Sequence, residues 1–398
     1  MKSIGFFVSE NLHSKYRVLN NFSQKLHEAF LTIGIESRII PIQSNNPDFI
    51  AKLLDRPTDF TLMVNGGSPL VNGAFLCDLL KIPHVGFLVD APYYFFKHLS
   101  SQYNIFTSVD RSVIPFYQKL GFNEMLFMPH AVDGALTYDP QASRPYDVVM
   151  ISSCIDHESR RADWPRMFPR EVCQVIEDAI NRCLVDRRMP PYAAFIRALE
   201  KYELSSHAID FKEISLMRVL SAIEYHLRGK DRLELVRSIK SGQVHVFGSA
   251  DVARGWKELL EGCTNVVVHE EIPFESTYEI MKQSKIVLNS CPTIPDGGHE
   301  RLFAALACGA QVVSTTSAYL NEQFKETGAV LDYQDPCNPA LDKAIRECLD
   351  NPLRQRAAVE KGREVVMHSH TWQRRAEELV AALEPLIKKW AVLNEGKI

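Results

Sequence analysis

The chain lacks paired cysteines. Its nine cysteines are scattered at Cys77, Cys154, Cys173, Cys183, Cys263, Cys291, Cys308, Cys337 and Cys348, without one Cys-x-x-Cys spacing. This argues against a zinc ribbon, a dithiol redox motif or a disulfide framework. It suits buried thiols in a reducing compartment, and a cytoplasmic location is expected. Strong charge of either sign is absent too. A net charge of −4 over 398 residues gives no broad field for nucleic acid or an anionic membrane, so any basic site must be local. No segment approaches the roughly 18 apolar residues of a membrane span. The apolar run inside MKSIGFFVSENLHSKYR is too short for a secretory signal and has no small-residue cleavage site.

What is present is alternation. The chain is 46% hydrophobic, and its length suits two domains better than a single core. Ser3 to Ser9 reads as a buried strand, and Leu19, Phe22, Leu26, Ala29 and Phe30 then fall on one helical face. The pattern repeats through SRIIPI, a helix around Phe49 to Leu54, FTLMVNGG, a helix around Phe75 to Leu80, HVGFLVD, NIFTSVD, a helix at Val113 to Leu120 and MLFMPHAVD. Uniformly apolar strands alternating with helices predict a parallel sheet covered on both faces, hence a Rossmann-like amino-terminal lobe over residues 1–135. Pro140 and Pro145 break the rhythm in the polar stretch Gly134 to Pro145, which reads as a linker. A second set of strands, YDVVMISS, QVHVFG, NVVVHE, KIVLNS, AQVVST and AVLDY, predicts a second Rossmann-like lobe over residues 146–365. Residues 164–239, charged and helix-patterned with Leu216, Val219, Leu220, Ile223 and Leu227 on one stripe, form a helical insert within it. A last helix over residues 371–390 is expected to pack back on the first lobe.

The richest stretch is Ser284 to Ser314. There an apolar strand, a glycine-containing polar turn, an amphipathic helix closed by Gly309 and a second strand follow one another. Amides at the helix start, close approach at Gly297 and Gly298, and donors on His299 and Arg301 together suit a phosphate ester, although a βα turn with plain surface residues reads the same way. In doubly wound sheets ligands sit beyond the carboxyl ends of strands. The other residues at such ends are His13, Asp90 and His130 in the first lobe and Arg160, Arg161, Gly248, Glu271, Ser290 and Glu300 in the second. Asp90, after GFLV and before Ala91-Pro92, fits a general base and equally a turn aspartate. His13 fits a reserve base or plain surface, His130 fits a cleft-lining or a structural group, and Arg160 or Arg161 fits a bidentate diphosphate ligand or solvated surface.

Read together, VDAPYY, NIFTSVDRSVIPFYQKLGFNEMLFMPHAVD, SKIVLNS with HERLFAALACGAQVVST, and HSHTWQRRAEEL resemble the CgeB-like glycosyltransferases, a GT-B group named from a spore-maturation protein. The resemblance spans most of the chain. It implies an α/β fold of two Rossmann-like lobes facing a cleft, with a nucleotide-diphosphate sugar bound by the second lobe and an acceptor by the first. The acceptor it implies is a protein, such as flagellin or another surface protein, or a surface glycan. The resemblance also implies transfer without a metal ion or other cofactor, and no Asp-x-Asp occurs in the chain. Arg301, His299, the Gly297-Gly298 backbone and Arg160 or Arg161 would then stabilise the leaving diphosphate. One departure stands out, because Ala304 occupies the place where related helices carry a ribose-binding glutamate. Glu300, one turn earlier, is the nearest replacement or else a first-turn glutamate facing the helix dipole. A non-catalytic binding or scaffold protein and a nucleotide-sugar epimerase are the alternative readings.

Overall fold

The computed structural model of the protein describes residues 2–9, 18–42, 48–122, 124–202, 215–250 and 254–395. Contacts divide the chain into a first unit, Met1–Ala135 with Met367–Ile398, and a second, Leu136–Val366.

The first unit runs β1 (Ser3–Ser9), α1 (Val18–Thr32), β2 (Glu36–Ile42), α2 (Asp48–Asp55), β3 (Phe60–Val64), β4 (Leu70–Val71), β5 (Ala74–Phe75), α3 (Leu76–Leu80), β6 (His84–Phe87), β7 (Asn104–Ser108), α4 (Ile114–Lys119) and β8 (Met125–Phe127). Its six main strands pair in parallel in the order β2-β1-β3-β6-β7-β8. Strands β6 and β7 are buried at every position, as expected of a parallel sheet covered on both faces. Phe6, Phe7, Phe30, Phe60, Phe87 and Phe106 are fully buried, each worth about 1.5–3 kcal/mol of transfer free energy. The strand order reverses between β1 and β3, so the loops beyond their carboxyl ends flank a switch point.

Two local expectations shift. Phe75, read as a helix start, instead closes the small antiparallel ladder of β4 with β5. Asn72 and Gly73, with φ of 51° and 83°, form its two-residue turn; an Asn-Gly pair suits a hairpin that needs both central φ angles positive. Residues Pro92–Ser100 form 3-10 turns broken at Phe95, whose backbone (φ −113°, ψ 15°) is not helical.

The second unit runs β9 (Tyr146–Ile151), α5 (His157–Ala162), α6 (Trp164–Met167), α7 (Arg170–Val185), α8 (Pro191–Lys201), α9 (Leu216–Ser238), β10 (Val244–Phe247), α10 (Trp256–Leu259), β11 (Val266–His269), α11 (Phe274–Lys282), β12 (Ser284–Asn289), α12 (Glu300–Ala307), β13 (Gln311–Thr315), α13 (Ala318–Phe324), β14 (Val330–Tyr333), α14 (Pro339–Asp350) and α15 (Pro352–Ser369). Its six parallel strands lie in the order β11-β10-β9-β12-β13-β14. This is the 3-2-1-4-5-6 order of dinucleotide-binding sheets, with the switch point between β9 and β12. The span read as a helical insert carries α6 to α9 among its described residues, and Val219, Leu220, Ile223 and Leu227 are buried. Gly309 takes φ +81° after α12, and Ala310 N–H returns to the Ala305 carbonyl at 2.8 Å, a glycine helix stop of the kind expected there.

The closing helix, α16 (Trp372–Glu395), packs on α1 in the first unit. Trp372 and Phe22 rings lie 5.1 Å apart, and Val132 and Thr371 form a parallel bridge.

Candidate active site

In the second unit the sequence places an acid inside a helix, at Asp231 of α9, and the fold buries it completely. Such a carboxylate is tolerated only with several donors. Ser290 Oγ donates to it at 2.6 Å, Tyr333 Oη at 2.8 Å and Arg187 Nη1 at 3.3 Å. These bonds tie α9 to the loop after β12 and to the end of β14. Ser290, expected to touch a donor, is therefore committed to holding this helix.

With α9 fixed, Arg228 and Arg232, four residues apart, share a helical face. Arg232 is 6% exposed, and its Nη1 donates to the Ser153 carbonyl at 2.9 Å. Its buried Nε has no hydrogen-bond partner. Burial first, then the Arg228 and Arg301 guanidiniums, pushes the pKa of Arg232 well below its ordinary value. Arg301 reaches Asn289 Oδ1 at 3.4 Å, and the same three arginines bear on the partly exposed Cys291 thiol. Arg228, Arg232 and Arg301 thus gather like charges around the β9–β12 switch point. Bringing like charges together costs free energy that an anion would offset.

The loop from Pro292 to His299 differs from the expected amide cradle. Gly297 N–H donates to Ser317 Oγ at 3.2 Å, and Ser317 Oγ donates to the Gly297 carbonyl at 2.8 Å. A Cβ at Gly298 would lie 2.4 Å from the Phe303 ring. The two glycines therefore serve close packing within the loop. His299 is the N-cap of α12, its Nδ1 accepting Arg301 N–H at 3.2 Å, so its ring satisfies the amide expected to meet a phosphate. Glu300 is buried, and desolvation raises its carboxyl to about 7, offset in part by Arg301 and a hydrogen bond with Tyr278. Its Oε1 has no partner. At neutral pH much of it is a protonated acid one turn before Ala304.

Arg160 lies over the Tyr225 ring at 4.8 Å. Arg161 pairs with Glu177 at 2.6 Å, committed to the insert rather than to the cluster around Arg232. At Gly248 an added Cβ would lie 1.9 Å from the Ser152 carbonyl, so only glycine lets the loop after β10 lie against the loop after β9. That second loop is locked by Asp156, which accepts Arg254 Nε at 2.7 Å and Nη2 at 3.0 Å. Glu271 is exposed beyond β11.

In the first unit, Asn65 ends β3 in the left-handed region at φ 53°. Its Oδ1 accepts both Val89 and Asp90 N–H at 3.1 Å, and its Nδ2 donates to the Asp90 carboxylate. Asp90 is exposed yet oriented, its loop clamped to the β3 loop. Ala91 is extended at φ −61°, ψ 136°, as the following proline requires. His13 lies outside the described residues. His130 is 4% exposed, edge-on to Phe22 at 5.9 Å. It packs in the interior beneath α1, which removes it from any open surface.

Arg228, Arg232 and Asp231 escaped the sequence reading, whereas Asn65 lies at a strand end where a site residue is expected. The available signal was an Arg-Gly-Lys-Asp-Arg run with arginines at i and i+4 around a mid-helix glycine.

A family model described as glycosyl transferase-like matches residues 230–381, a span containing Asp231, Arg232 and Arg301. No curated protein matches the chain by sequence. Among solved structures, a glycosyltransferase from Rickettsia africae ESF-5 is similar at a TM-score of 0.55 and 12% identity, covering 97% of this chain and 98% of that one. Sucrose-phosphate synthase from Thermosynechococcus elongatus gives 0.53 and 13%, covering 98% and 100%. Anabaena Alr3699/HepE in complex with UDP-glucose gives 0.53 and 11%, covering 97% and 100%. The fold is GT-B, two Rossmann-like parallel-sheet lobes.

Proposed function

We propose that the protein is a Leloir glycosyltransferase of the CgeB-like kind, moving a sugar from a nucleotide-diphosphate donor to a protein or surface-glycan acceptor. The observation that carries this reading is the convergence of Arg228, Arg232 and Arg301 on the β9–β12 switch point. A diphosphate there replaces like-charge repulsion with charge-assisted hydrogen bonds. The fold supports it, since one protein sharing that fold is described in complex with UDP-glucose.

In this reading the leaving nucleotide is stabilised by fixed guanidiniums, so transfer needs no metal ion at the diphosphate. Arg232 is held by Ser153 and Arg301 by Asn289, so neither reorganises when charge develops. Glu300 with Tyr278 takes the place of the ribose-holding glutamate that Ala304 replaces. Asp90, oriented by Asn65, is the base that removes the acceptor proton. The reaction breaks the anomeric carbon–phosphate oxygen bond, the acceptor oxygen takes the anomeric carbon, and the nucleoside diphosphate departs.

A thermal-shift screen of nucleoside diphosphates and their sugars tests the donor half. One of them at 100 times its Kd should add about 2.7 kcal/mol of stability. A flat response to every nucleotide contradicts the reading. Mass spectrometry of acceptor proteins and glycans incubated with the stabilising donor then separates transfer from donor epimerisation.

A further inference from the structure

Outside the arginine cluster, α9 carries a second polar constellation. At Gly229 an added Cβ would lie 2.6 Å from the Ile155 carbonyl and 2.9 Å from His157 Cβ, so the glycine lets α9 approach the start of α5 closely. This brings the His226 ring to 4.9 Å from the His157 ring, edge-on, and His157 Nε2 to 3.2 Å from Glu158 Oε1. Both rings are buried, and neither Nδ1 has a hydrogen-bond partner. Two orphaned imidazole nitrogens side by side in the interior are costly unless something accepts their lone pairs.

We propose that His157, Glu158 and His226 form a binding site for a borderline divalent cation, zinc by preference, that clips α5 to α9. One ligand atom from each residue lies within 4.8 Å of the other two. Tetrahedral zinc with bonds near 2.0–2.1 Å needs ligand atoms about 3.4 Å apart, a small side-chain rotation from this arrangement. Two imidazoles and a carboxylate match the donor softness of zinc and leave a fourth position open. A depression of about 370 Å³ lies against Glu158, lined also by Arg161, Trp164, Cys173 and Glu177. Of the nearby cations, Lys230 is countered by Glu234, and Arg161 pairs most closely with Glu177, at 2.6 Å, while lying 3.8 Å from Glu158. Because Arg228 and Arg232 follow His226 on the same helix, the ion would fix the helix that presents them without touching the donor.

The test uses the full chain stripped with a chelator and titrated with zinc by calorimetry, beside Glu158→Gln, His157→Gln and His226→Gln. The wild type should bind about one equivalent and gain melting temperature. Each substitution should weaken binding by more than the roughly 10–100-fold that losing an outer partner costs. Glu158 is more than half exposed, so Glu158→Gln should leave the metal-free melting temperature unchanged, and it decides the matter if a histidine variant fails to fold. Cobalt in place of zinc should give the intense d–d bands of a tetrahedral site. No zinc uptake, or uptake by thiols that survives all three substitutions, overturns the assignment.

Discussion

The loops beyond the strands of the two units are built to opposite electrical ends. In the second unit three guanidiniums converge, and the acid that positions two of them is buried and saturated with donors. In the first unit the loops beyond β3 and β6 present an exposed carboxylate held by a single asparagine. The same layered sheet thus gathers guanidiniums at one set of loops and presents an exposed carboxylate at the other. The difference shows that the scaffold fixes where chemistry can sit, whereas a few side chains on the loops and on one inserted helix fix its sign.

The comparison can be broken most severely at Asp231. Asp231→Ala leaves Arg187, Ser290 and Tyr333 without their shared acceptor and should cost about 3–5 kcal/mol. Denaturant unfolding measures this, and a loss below about 1 kcal/mol would show that the acid does not organise the arginine side. The two halves can be sharpened against each other at Asp90. Asp90→Asn should lower turnover on the order of 100-fold with donor affinity unchanged, whereas turnover within a few-fold of wild type would remove Asp90 from the chemistry.

A smaller effect is expected at Glu300. Its carboxyl is raised in the folded state to about 7 from 4.5, so the folded protein binds the proton more tightly than the unfolded chain. The stability this contributes is complete below pH 4.5 and is lost as pH rises through 7. Glu300→Gln should flatten the stability profile across that window. An unchanged slope between pH 4.5 and 7 contradicts the burial account of this residue.

Much of the architecture was legible in sequence because parallel strands buried on both faces draw on apolar runs, such as IGFF in β1 and IVL in β12. The helix spacing at Phe22, Leu26, Ala29 and Phe30 and the stop at Gly309 were legible for similarly local reasons. The site was less so. Gly297 and Gly298 look like an open phosphate turn in isolation, and only the fold brings Ser317, twenty residues on, to the Gly297 amide. Arg232 lies 79 residues from Ser153, whose carbonyl it bonds, so helical periodicity alone could not assign it to the loop after β9. His130 stayed ambiguous between cleft and interior for a similar reason, since Phe22 and the surroundings that bury it are supplied by a distant helix.

The central claim is that the arginine cluster of the second unit binds a diphosphate. Calorimetric titration of wild type, Arg228→Met and Arg301→Met with the stabilising nucleoside diphosphate and with its parent nucleoside tests it directly. Each substitution should weaken diphosphate binding about 10–100-fold, the worth of one hydrogen bond to a charged group, and leave nucleoside binding unchanged. Equal affinity of all three proteins for the diphosphate would contradict the account.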